Sequence, residues 1–110
     1  MTTDVDLEGL TRCIKSCFDL SGDDRLTEAK QRDMLALGKR LRGRLMDLLT
    51  AQFNEDIEDN VVEANTKLGD VNKRLEKVAE AIEKIADTVQ QVTKLAGLLD
   101  RLVKVAIAFH

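Results

Sequence analysis

From Ile57 to Ala106 apolar residues recur at alternating steps of three and four, the spacing of a heptad seam sustained for about seven repeats. One set of seam positions holds Val61, Leu68, Leu75, Ile82, Val89, Ala96 and Val103. The other holds Ile57, Ala64, Val71, Val78, Ile85, Val92, Leu99 and Ala106. The pattern predicts one long helix over 57–108, roughly 78 Å from end to end. Gly69 and Gly97 fall away from the seam and lower helix propensity without opening it, Gly69–Asp70 being the weaker point.

Two shorter helices are expected upstream. Leu7, Leu10, Ile14, Cys17 and Phe18 share a helical face, which predicts a first helix over 4–19 behind a capping-box-like Thr3 and Asp6. The segment Asp19–Asp24 reads DLSGDD, a glycine-containing turn with a serine to cap the next helix. A second helix over 24–53 carries the stripe Leu26, Met34, Leu37, Leu41, Leu45, Leu48 and Leu49, softened by Gly38 and Gly43. Asn54 then ends one helix or caps another. Glu55, Asp56, Glu58 and Asp59 suit the positive end of the third helix. So short a connection implies an antiparallel hairpin of the second and third helices.

Residue choice along the seam argues against a parallel two-stranded zipper. Leucine occupies the positions where β-branched residues favour parallel dimers, and valine or isoleucine occupies the leucine positions. Ala79, Ala81, Ala86, Thr88, Thr93, Leu95 and Leu102 replace the usual flanking charges and widen the apolar face, as a bundle requires. A second helix of about 45 Å folding back from Asn54 would cover the third only to about residue 87. Val89, Val92, Leu95, Leu98, Leu99, Leu102, Val103 and Phe109 are left as the candidate self-association or partner surface, too apolar to stand bare. The expected fold is all-α, a single helical domain over 1–110. It comprises a helical hairpin, a short N-terminal helix and a very long coiled-coil-type C-terminal helix, paired as an antiparallel homodimer in a four-helix-like bundle.

Composition agrees with long helices: 44% apolar and 34% charged, with no proline, tryptophan or tyrosine. A net charge of −3 sets up no field for nucleic acid. The start of the chain lacks a basic-then-apolar leader, so a cytoplasmic address with reduced Cys13 and Cys17 is expected.

Candidate chemistry is sparse. Cys13 and Cys17 stand four apart on an apolar face and read as buried structural thiols. A metal site needs about four ligands, and His110, the single histidine, is terminal. Lys39, Arg40, Arg42 and Arg44 form a basic run without aromatic neighbours. It reads as a solvated rim paired with Glu55, Asp56, Glu58 and Asp59 or with another chain, rather than as a nucleic-acid site. The acids Asp70, Glu76, Glu80, Glu83 and Asp87 face water, and no phosphate-cradling glycine motif occurs. Neither catalysis nor a cofactor is expected. Two functions remain: a self-associating protein-interaction module acting through a bundle face or groove, and, second, a membrane-surface helix over 95–109. That stretch is too short and too charged to span a bilayer.

Overall fold

The computed structural model describes residues 4–51, 53 and 55–108 and is all-α. Four helices succeed one another: α1 (Leu7–Ser21), α2 (Glu28–Leu48), α3 (Glu58–Glu80) and α4 (Ile85–Ala108). Short 3-10 turns, Glu55–Ile57 and Ile82–Lys84, precede α3 and α4. Asp6 caps α1, its carboxylate accepting the Gly9 N–H at 2.9 Å. Thr27, not Ser21, caps α2, its hydroxyl accepting the Lys30 N–H at 3.2 Å. Ser21 instead ends α1, where its hydroxyl donates to the Phe18 carbonyl. Thr3 and Asn54 lie outside the described residues.

The expected continuous helix over 57–108 is two helices. The break falls at Ala81 (φ −133°, ψ 82°), at neither Gly69 nor Gly97. No glycine or proline marks it, so the cause is packing rather than local propensity. Turning the chain back forgoes roughly four backbone hydrogen bonds at a helix end, each worth about 0.5–1.5 kcal/mol net. It buries Val92, Leu95, Leu99, Leu102 and Val103, each worth about 1.5–3 kcal/mol. Burial wins.

The hairpin partners are likewise corrected. α1 lies against α2 and α3, and α4 lies against the same two, whereas α2 and α3 occupy opposite corners. The chain therefore forms two antiparallel hairpins, α1–α2 and α3–α4, set side by side in a body 43 Å long and 20 × 19 Å across. Two asparagines fix their register. Asn65 of α3 accepts the Asp6 N–H at 2.8 Å and donates to the Asp4 carbonyl at 2.9 Å. Asn72, one heptad on, donates to the Gly9 carbonyl at 3.0 Å. These bonds advance together along α1 and α3, so the two helices run parallel. On the other side of the bundle, Phe18 of α1 meets α2 at Gly38, where an added Cβ would lie 2.8 Å from its ring.

The four-helix bundle thus closes within one chain. Thirteen of the fifteen seam positions are buried. The exceptions, Ile82 and Val89, are half-buried beside the turn. On α2, Met34, Leu37, Leu41 and Leu48 are buried and Leu45 is half-buried; Leu49, just past its end, is exposed.

Candidate interaction surface

The inward stripe of α2 uses up four large apolar residues, and three more lie off it. Leu35 and Met46 are separated by eleven residues, three helical turns, and so share a face. Leu49 comes just past the end of α2. Their exposures are 38%, 62% and 56%. Exposed Lys39 and Arg42 stand between Leu35 and Met46 on the same flank. The Arg42 guanidinium lies 5.5 Å from the centre of the Phe18 ring, which ties this flank to α1. At its lower end the flank opens into a cleft of about 210 Å³ lined by Asp4, Val5, Leu7, Leu48, Leu49, Ala51 and Phe53. The result is a line of three apolar residues broken by two cations that runs into a notch of mixed polar and apolar lining.

The basic run does not form one patch. Arg40 and Arg44, one turn apart, both reach the Asp100 carboxylate of α4. Arg40 Nη2 donates to Oδ2 at 2.5 Å, and Arg44 Nε lies 3.0 Å from Oδ1, off the hydrogen-bonding axis. Arg44 also donates to Asp47 at 2.8 Å. The turn at Ala81 brings Asp100 to this run, where it meets both Arg40 and Arg44. Arg42 turns the other way, toward Phe18, and Lys39 is exposed beside it.

Of the predicted partner surface, Val92, Leu95, Leu99, Leu102 and Val103 are buried in the chain's own core. Val89 and Leu98 are half-buried at its edge, and Phe109 lies outside the described residues. The face that lacked cover in the sequence receives it from α2 and α3. The outward side of α4 carries Lys94, Arg101 and Lys104 beside two shallow clefts. One, of about 310 Å³, lies toward Arg44; the other, of about 390 Å³, lies toward Lys67 and Glu63.

Cys13 and Cys17 are both buried and unpaired. The contact with Cys17 and the loss of water push the Cys13 thiol well above its ordinary range, so it holds its proton and is a poor nucleophile. Among the described residues no group of histidine, cysteine and acidic side chains is arranged to hold a metal, and no helix is long and apolar enough to cross a membrane. The water-facing acids are placed as expected, except that Asp70 is half-buried between Arg74 and Lys67. The Arg74 guanidinium holds its carboxyl below the usual range.

Comparison of the chain with protein-family models, with curated proteins and with solved structures gave no match.

Leu35, Met46 and Leu49 are hidden in the sequence by the stripe around them. Only Leu49 falls within the stripe that the spacing predicts. The signal available for the other two is their three-turn spacing.

Proposed function

We propose that this protein is a non-enzymatic helical module that associates with itself, as a homodimer, and with another protein through a face of the bundle. The observation that carries the second part is the line Leu35, Met46, Leu49 entering the cleft at Phe53. Bundles of this size place large apolar residues inside, so three on one flank with a notch at its end suit a docked helix. Such a helix would use apolar anchors at three-and-four spacing. Lys39 and Arg42 beside that line favour a partner helix with acids flanking its apolar positions.

A photo-crosslinking side chain at position 46, compared with one at the exposed Glu76 of α3, tests this in cells. A discrete adduct at 46 alone is expected. The same background at both positions contradicts the proposed face. A membrane role for 95–109 requires α4 to leave the bundle, because Leu95, Leu99, Leu102 and Val103 are buried in it. The interaction reading needs no such step.

A further inference from the structure

The heptad register runs unbroken through a place where the chain turns back. Seam positions on both sides of the turn keep their phase, and all but Ile82 and Val89 are buried. The turn itself holds no glycine and no proline, and the described backbone has no non-glycine residue with positive φ. Ala81, Ile82, Glu83 and Lys84 are all compatible with helix, so nothing local opposes straightening.

From these observations we infer that α3 and α4 also exist as one continuous helix, and that the partner this open form takes is a second copy of the chain. The exchange is reciprocal: α4 of each copy occupies the place between α2 and α3 of the other. The inference rests on the proposed self-association and supplies its mechanism.

The geometry of the closed form is preserved. α4 runs antiparallel to its own α3, so the two straightened helices run antiparallel to one another about a two-fold axis near the turn. Every intrachain contact of the hairpin reappears between chains. The Arg74–Asp87 and Lys67–Gln91 pairs each form twice. Straightening restores the helical hydrogen bonds missing around Ala81. It also brings the two copies of Ile82 together near the axis, covering residues that the closed form leaves half-buried. What opposes dimerisation is the entropy of association, so the balance depends on concentration.

Chains carrying Lys67→Cys with Gln91→Cys, refolded at high concentration, test the exchange. Light scattering gives the mass, and a short bismaleimide treatment before a denaturing gel shows whether the joined sites belong to one chain. The unsubstituted chain controls for the buried native thiols. The expected result is a dimer that the linker turns into a covalent dimer. A dimer whose linker joins sites within one chain overturns the exchange and leaves self-association standing. A monomer at every concentration overturns both.

Ile82→Pro provides the second arm. Proline fits the first position of the short turn, where no intrahelical bond is donated, but not the interior of a straight helix. This variant is expected to keep the monomer's helix content and melting temperature while its dimer fraction falls at least tenfold. An undiminished dimer fraction overturns the inference.

Discussion

Arg74 of α3 holds Asp87 of α4, with Nη1 2.5 Å from Oδ2, although thirteen residues separate them. On a single straight helix they would stand roughly 20 Å apart. Arg74 also donates to Asp70 on its own helix at 2.9 Å. One guanidinium thus joins two carboxylates, one on each arm of the hairpin. The pair is exposed, so it marks the closed state more than it stabilises it.

The two arginines on Asp100 make that residue an electrostatic keystone between α2 and α4. Asp100→Ala leaves Arg40 and Arg44 facing each other one turn apart. All three side chains are between a third and two-fifths exposed, which limits the expected loss to about 1 kcal/mol. The loss should shrink at high salt. Urea melts of the variant at low and high ionic strength check both the size and the salt dependence.

Glycines divide into two groups by what surrounds them. At Gly38 an added Cβ would meet the Phe18 ring at 2.8 Å, and overpacking of about 1–3 kcal/mol should exceed the helix-propensity gain. At Gly43, Gly69 and Gly97 nothing lies within 4 Å, and alanine should stabilise by about 0.5–1 kcal/mol each. Thermal melts should therefore fall for Gly38→Ala and rise for the other three.

Asp23 offers a defined pH response. Its carboxylate is held at about 2 by hydrogen bonds from the Arg25 side chain and backbone, against an ordinary value of 3.8. The folded state therefore binds this proton less readily than the unfolded state. The pair's contribution is present above about pH 4 and is lost as the pH falls toward 2. The Arg25 side chain is half-exposed and solvent screens the pair, so the stability change is small and the titration itself is the better readout. A carboxyl resonance of Asp23 with a midpoint near 2, moving up in Arg25→Gln, is expected.

Val92 and Leu99 are fully buried in α4. A carboxylate at either site has no partner, and each substitution should cost several kcal/mol. Together Val92→Asp and Leu99→Asp should exceed the total stability of about 5–15 kcal/mol typical of a domain. Circular dichroism of the double variant should show an unfolded chain at 25 °C. Retained native helicity would place this half of the seam at the surface.

The all-α class and nearly every core position were legible in the sequence because heptad spacing fixes which side of a helix is apolar. The break at Ala81 was not. Ala81–Lys84 carries no turn chemistry, and what selects the turn is the need of α4's apolar face for cover, a balance set over the whole chain. The same gap hid one partner of the basic run, since Asp100 reaches Arg40 and Arg44 only after the chain turns back. Asn65 and Asn72 gave no signal either. Single polar residues beside a seam look solvated until the helix that needs their hydrogen bonds is in place.

Pulsed electron–electron resonance on the monomer fraction tests the hairpin most directly, with spin labels at Lys67→Cys and Gln91→Cys in dilute solution. These side chains touch in the bundle, so a distribution centred below about 20 Å is predicted, whereas a continuous helix would separate the sites by about 36 Å. A single peak at the longer distance in the monomer would contradict the closed bundle.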